Sequence, residues 1–312
     1  MESLRIGIIS TAGINEMAMI SVARQLEGVE VAAVASRDEH RARDYAKLHS
    51  ITASFGSYGE IIDDPDIDCV YISTPANQHA ELSIDALRAG KHVLCEKPVA
   101  MNSGEVEGIL EASEETGMIF AEAFHNRYHV LTEKIMDLLH DGEIGRVRRV
   151  RAAFDSPLLD FSKIQFDPEL GGGALMDVGC YAISFCRWAA GCDEARVERA
   201  RCLRAPGGGV DLSTAARFKF ENGVHAKIAC SLVRPPRQTA FIGGDAGAIT
   251  VFNFVHPVLE RRGLRIPLYL AVVMNRAGVR NIRIEGRTTY FHQLAAFRDS
   301  VLTGTPMISG PE

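Results

Sequence analysis

Apolar positions follow one rhythm in the first part of the chain and another in the second. Arg5 to Ile9 is a short apolar run closed by small residues, which predicts a strand buried on both faces. Ile14 to Leu26 carries apolar residues at helical spacing, and Val29 to Ala35 is a second run of small and β-branched residues. Asp38 to His49 is polar and helical, with Asp38 placed to cap its N-terminus. The alternation repeats: strand at Cys69 to Ser73, helix at Ala80 to Ala89, strand at His92 to Cys95. A helix over Ser103 to Thr116 follows, capped at Asn102 or Ser103, and then a strand at Met118 to Ala123. Strand–helix units of this length predict a parallel sheet covered by helices on both faces.

After a helix over Leu131 to His140 the strands lengthen, at Arg146 to Phe154, Ala215 to Phe220, Val224 to Val233, Thr239 to Gly243 and Ala248 to Phe252. Glu221-Asn222-Gly223 lies between two of them and predicts a hairpin, because Asn and Gly both tolerate positive φ. The expected fold class is α/β. A doubly wound parallel sheet of Rossmann type spans residues 1–123, and an α+β domain with a large, mostly antiparallel open sheet spans residues 124–312. A chain of 312 residues is also longer than one hydrophobic core comfortably serves.

Composition narrows the classes. Hydrophobic residues at 46% and charged residues at 24% describe a globular protein. A net charge of −6 without a long Lys/Arg run speaks against nucleic acid or an anionic membrane as the main partner. No apolar run reaches membrane-spanning length and no secretory signal is visible before Arg5, so the expected compartment is the cytoplasm. The seven cysteines are odd in number and lack a CxxC pair, which predicts neither a disulfide framework nor a metal site. The evenly spaced Cys180, Cys186 and Cys192 read as small core residues.

Doubly wound sheets bind ligands beyond the carboxyl ends of their strands, with a diphosphate at the N-terminus of the first helix. That loop reads Ser10-Thr11-Ala12-Gly13-Ile14-Asn15. Ser10 and Ala12 stand where a glycine fingerprint would have glycines, yet small residues still admit a phosphate and the hydroxyls add donors. A plain strand-to-helix turn reads equally well. The second strand ends in Ala35-Ser36-Arg37-Asp38, a hydroxyl and a guanidinium where an NAD site places its carboxylate. Arg37 can pair with a 2′-phosphate, and His40 with Arg41 or Arg43 would add positive charge. NADP is therefore favoured; NAD is the alternative, with Asp38 on the ribose.

Two further segments are more specific: Tyr71 to His79 followed by Gly90 to Pro98, with Glu96-Lys97-Pro98 at its end, and Asp167 to Tyr181, with Asp177-Val178-Gly179-Cys180-Tyr181 at its end. Together they resemble the Gfo/Idh/MocA oxidoreductases, from about Arg5 to about Thr305, and most of all the NADP-preferring xylose and dihydrodiol dehydrogenases and sugar ketoreductases. The resemblance implies a nicotinamide bound between two domains and reversible hydride transfer to or from a sugar, polyol, dihydrodiol or ketosugar. Carried over, Lys97 is the catalytic lysine, and Asp177 and Tyr181 match the family's Asp and its acid/base residue. Thr74, Pro75, Asn77 and His79 line the nicotinamide ribose, Glu96 lies beside the same ring, and the Lys97–Pro98 bond is a candidate for the cis form.

The resemblance also implies a homodimer or homotetramer through the open face of the second sheet, where apolar surface would invite association. Tyr290 to Phe297 resembles the family's late helix; members usually continue with one more helix that packs back on the first domain, and its absence before Glu312 implies a truncation or an edge covered by a partner subunit. Pocket shape would depend on the loops Phe154 to Phe166 and Phe252 to Leu270.

Hydride transfer leaves or consumes a proton on the substrate oxygen, so a donor–acceptor must reach that oxygen. A phenol is a poor base near neutrality unless a cation stabilises its phenolate, a task Lys97 could perform. Asp177 and Tyr181 are four apart, so on a helix they share a face. Each residue has a plainer reading: Lys97 as an ion-pair partner of Glu96, Asp177 as a helix cap, Tyr181 as a core aromatic. Glu122, His125, Asn126 and Arg127 are expected to face the cleft, with His125 equally readable as a domain-interface histidine, and Trp188 is expected to pack. Two other functions fit the same residues, a glycosidase that oxidises its substrate transiently and a non-catalytic nucleotide sensor.

Overall fold

Short runs of Ile, Val and Ala, buried on both faces, build the first sheet. Its strands are β1 (Leu4–Ile9), β2 (Val29–Ala35), β3 (Ala53–Phe55), β4 (Cys69–Ile72), β5 (His92–Cys95) and β6 (Phe120–Glu122). They lie in the order β3-β2-β1-β4-β5-β6, every neighbouring pair parallel. The computed structural model describes residues 3–261, 264–267, 270–282, 286–305 and 307. Among them no helix is long and apolar enough to cross a membrane.

Alternate strand residues serve opposite faces. Leu4, Ile6 and Ile8 join Met19 and Leu26 in one core, while Ile9, Val70 and Ile72 join Ile61, Leu87 and Ile109 in the other. Helix α1 opens as a π-helix over Glu16–Ile20 and continues as α-helix over Ser21–Ala23, so it is shorter and wider at its start than the apolar spacing from Ile14 to Leu26 suggests. α2 (Glu39–His49) is capped by Asp38, whose carboxylate accepts from the Arg41 amide at 3.1 Å. α3 (Tyr58–Asp63) carries a capping box between Ser57 and Glu60, a Ser-x-x-Glu signal present in the sequence and not singled out above. α4 (His79–Arg88) and α5 (Ser103–Thr116, capped by Asn102) complete the layers. The order of strands reverses between β1 and β4, and the loops that leave these two strands therefore flank the switch point where such sheets bind ligands.

The second unit begins with α6 (Val130–His140) and centres on an eight-stranded sheet. Its strands are β7 (Val147–Asp155), β8 (Ala195–Arg204), β9 (Asp211–Phe220), β10 (His225–Ser231), β11 (Arg237–Gly244), β12 (Gly247–Phe252), β15 (Leu270–Asn275) and β16 (Gly278–Ile282), with a separate β13–β14 pair (Val258–Arg261 and Leu264–Pro267). Only β7 and β10 run parallel. α7 (Cys180–Ala190) covers one face, against Phe154 among others. The hairpin at Asn222-Gly223 is a three-residue loop with only Gly223 at positive φ, rather than the two-residue turn in which both residues need it.

On the opposite face of this sheet, the β7, β10 and β9 strands are cationic. Residues paired in register share a face, which sets Arg149, His225 and Lys219 in one row and Arg151, Lys227 and Arg217 in the next. A groove of about 510 Å³ runs among them, with Glu198 as its carboxylate and Phe241 beneath the guanidinium groups of Arg149 and Arg151. The apolar surface anticipated from the resemblance lies on the same face but on the other strands, at Phe252, Met274 and Val279, so the open face is divided between a basic and an apolar part.

Three more expectations change. The first compact unit runs from Met1 to Tyr128 and takes in Tyr290–Glu312, leaving His129–Thr289 as the second; the change of unit comes five residues after 123, and the chain returns to the first unit at its end. The reason is α8 (Thr289–Thr303), whose Tyr290, Leu294 and Phe297 lie in the same core as β1, so the late helix itself packs on the first unit. Of the evenly spaced thiols only Cys186 is buried; Cys180 and Cys192 are half-buried, and Cys202 is exposed on the edge strand β8. In the loop Phe252 to Leu270, residues 262, 263, 268 and 269 lie outside the described residues.

Candidate active site

The first-helix loop starts at Ser10, which leaves β1 with φ +113°. The Ser10 hydroxyl accepts from the Ala12 amide at 3.2 Å and meets the Ser73 hydroxyl at 2.8 Å. Thr11 and Ile14 are half-buried, Gly13 is exposed, and a Cβ at Gly13 would meet nothing within 4 Å, so the loop is open on its outer side. At the end of β2, Ser36 is buried and its hydroxyl accepts from Arg41 Nε at 3.0 Å and from the Asp38 amide at 3.3 Å. Arg37 and His40 are exposed beside it. The alternatives Arg41 and Arg43 are thereby separated: Arg43 pairs with Glu39 at 2.6 Å, and Arg41 belongs to the Ser36 corner. Asp38 is engaged as the α2 cap, and that bond to the Arg41 amide holds its carboxyl below the ordinary value.

Beyond β4, Thr74 and Ala76 are buried, Pro75 and Asn77 are at most partly so, and the Thr74 hydroxyl is a buried oxygen with no hydrogen-bond partner. His79 plays a different part from the one expected. Its Nδ1 faces the Pro98 carbonyl and its Nε2 the Thr74 carbonyl, each at 2.8 Å, so the ring ties the β4 loop to the β5 loop. Burial holds its pKa below the ordinary value, and the Lys97 charge acts in the same direction.

The β5 loop is fastened at several points. Glu96 is buried and accepts from the Tyr71 hydroxyl at 2.7 Å. Glu122, at the end of β6, accepts from the Val99 amide at 2.9 Å. Lys97 between them is half-buried, and the Lys97–Pro98 bond is cis. His125 is buried against Tyr290 with ring centroids 4.1 Å apart. Tyr71 and Ser73 were quoted above only as part of a motif; their bonds to Glu96 and Ser10 span 25 and 63 residues, which no local pattern reveals.

In the second unit, Asp177 lies in a π-helical turn, Leu175–Gly179, and Tyr181 in the first turn of α7. The regular helix presumed for this pair is thus widened at Asp177. Tyr181 is 4% exposed and its ring meets Phe154 at 5.6 Å. The glycines before it have distinct duties. A Cβ on Gly172 would sit 2.6 Å from the Gln165 carbonyl oxygen, and one on Gly173, at φ +119°, would collide with the Asp211 carboxylate. Gly179, the centre of the Asp-x-Gly-x-Tyr motif, faces Cys230 Sγ, which a Cβ would meet at 2.8 Å; the widened turn can lie this close to β10 only without a side chain there. Asp211, absent from the sequence-level candidates, accepts from the Leu175 amide at 3.0 Å and from the Thr214 hydroxyl at 2.5 Å, and so fixes the start of this segment. Trp188 packs on Phe185 as expected.

An open loop after β1, a hydroxyl-and-guanidinium corner after β2 and an unsatisfied buried hydroxyl after β4 are a donor set that fits a dinucleotide. The comparisons agree. Residues 4–124 match the family described as "Oxidoreductase family, NAD-binding Rossmann fold", and residues 132–250 match the GFO/IDH/MocA C-terminal domain. A D-xylose 1-dehydrogenase (NADP(+)) of Haloferax volcanii is 36% identical over 74% of this chain and 70% of its own. The chain belongs to the Gfo/Idh/MocA oxidoreductases. A trans-1,2-dihydrobenzene-1,2-diol dehydrogenase of Xenopus laevis is 34% identical to this oxidoreductase, over 80% of this chain and 75% of its own. In fold it matches a 3-ketoreductase of Actinomadura kijaniata, solved with NADP and TDP-benzene, at a TM-score of 0.89 and 24% identity, over 99% of this chain and 93% of that one. It is an NAD(P)-dependent enzyme with a Rossmann domain and a second, mostly antiparallel sheet.

Proposed function

We propose that this oxidoreductase uses NADP to interconvert a hydroxyl and a carbonyl on a sugar or dihydrodiol, with Lys97, Asp177 and Tyr181 handling the proton. The observation that carries the reading is the fastening of the Lys97 loop: the Tyr71 hydroxyl on Glu96, His79 on Pro98 and Glu122 on Val99 all act on a half-buried lysine. A surface ion pair needs no such support, whereas a group that must meet one substrate oxygen does. The relatives named for D-xylose and for dihydrobenzenediol support the substrate class.

Ser10, Thr11, Ala12, Gly13 and Ile14 would hold the diphosphate; Ser36, Arg37 and His40, with Arg41, the 2′-phosphate; Thr74, Pro75, Asn77 and Glu96 the nicotinamide ribose. A bound nicotinamide supplies or takes up the hydride. The Lys97 ammonium stabilises charge on the substrate oxygen, the Tyr181 phenol passes the proton, and the Asp177 carboxylate orients its partners. Assembly as a homodimer or homotetramer through the open face of the second sheet belongs to this reading, and seven free cysteines support a reducing, cytoplasmic setting.

The test is a screen of aldoses, inositols and dihydrodiols with NADP and NAD, read as nicotinamide absorbance. Lys97→Ala should lower turnover by about two to four orders of magnitude with dinucleotide affinity retained. Turnover near wild type would remove Lys97 from the mechanism.

A further inference from the structure

A dinucleotide fingerprint carries glycine at three positions, occupied here by Ser10, Ala12 and Asn15. Two of the replacements are bonded to each other. Asn15 is fully buried; its Nδ2 donates to the Ser10 carbonyl at 3.0 Å and its Oδ1 accepts from the Ser73 hydroxyl at 2.6 Å. The hydroxyls of Ser73 and Ser10 meet at 2.8 Å, and the Ser10 oxygen in turn accepts from the Ala12 amide. The proton run Ser10 to Ser73 to Asn15 satisfies every member, and such chains strengthen one another in a dry interior.

This network sits where it can act. Ser10 follows β1 and Ser73 follows β4, the two strands that flank the switch point of the sheet. Ser10 has φ +113°, a conformation that glycine adopts freely and an L side chain does not. A fingerprint's third glycine lets the first helix approach the sheet closely; with Asn15 there, the helix opens directly afterwards as the π-turn Glu16–Ile20, a wider start that accommodates the larger side chain. On the other side, the Tyr45 hydroxyl from α2 donates to the Ala12 carbonyl at 3.4 Å.

We infer that Asn15 and Ser73 are positioning residues for the dinucleotide diphosphate. They clamp Ser10 in the backbone geometry that a glycine would supply unaided, so the loop is shaped before the diphosphate arrives. The inference rests on the dinucleotide reading above, and it concerns affinity common to NADP and NAD rather than the choice between them.

The experiment titrates the apo protein with NADPH and with NADH, followed by nicotinamide fluorescence, for the wild type, Asn15→Ala, Ser10→Gly and the double variant. Asn15→Ala should weaken both dinucleotides about tenfold and to the same degree. Adding Ser10→Gly should bring affinity back to within about threefold of wild type, because a glycine needs no clamp. Should Asn15→Ala melt far below wild type, Ser73→Ala, a smaller change, makes the same comparison. Affinity within about twofold of wild type, or a double variant as weak as Asn15→Ala alone, would overturn the clamp. A wild type that binds neither dinucleotide removes the functional reading itself, and the clamp with it.

Discussion

Arg41 and Arg43 are two positions apart on one helix, and the hydrogen bonds they make assign them different work. Arg43 spends its charge on Glu39, an exposed pair worth little, whereas Arg41 is drawn by Ser36 to the end of β2. Arg37→Ala and Arg41→Ala should therefore each weaken NADP by about ten- to a hundredfold and NAD by less than about threefold, as charge-assisted bonds to a phosphate require. Titration of both variants with both dinucleotides checks this, and equal losses would count against a 2′-phosphate role. The candidate residues with the clearest sequence signal, Lys97, Asp177 and Arg37, stand in short motifs. The supports of Lys97 and Asp177 were not legible, because Tyr71 reaches Glu96 and Asp211 reaches Leu175 across 25 and 36 residues of chain.

At the level of elements, the parallel sheet was legible because its strands are buried on both faces and read as unbroken apolar runs. What escaped was whatever departs from a simple period. β3 has three residues, and β8 is exposed along its whole length with arginines at 196, 199, 201 and 204, so neither shows apolar alternation. Both π-turns found among the described residues interrupt a helical spacing at a candidate site, one after the Ser10 loop and one at Asp177. His79 also acts between elements, as a strut between the β4 and β5 loops. Its pKa is lowered by burial, so between the folded value and 6.5 the unfolded chain binds more protons. The neutral ring donates to only one of the two carbonyls, and the stability that comes from burying it uncharged is present above pH 6.5 and lost as the pH falls through the folded value. His92 shifts the same way for the same cause. The melting temperature should fall from about pH 7.5 to about pH 5, and less steeply in His79→Gln, whose amide can still bridge two carbonyl-lined loops. An unchanged slope in that variant would take His79 out of the acid response.

For the molecule as a whole, the charge on the second sheet matters more than the net charge of −6. A two-fold contact brings a patch against its own copy, and here that would set Arg151 and Lys227 near their equivalents, with Glu198 the carboxylate at hand. Multivalent anions should relieve the repulsion. Sedimentation should thus show more dimer in phosphate or sulfate than in chloride of equal ionic strength, and identical distributions would exclude this face as a charge-limited interface. The return of α8 to the first unit has a consequence for how the chain is made. Tyr290, Leu294 and Phe297 complete a core begun by Leu4, Ile6 and Ile8, so the half translated first is sealed last. During synthesis it waits with an apolar seam uncovered while the whole intervening unit emerges, exposed to association until the last helix arrives.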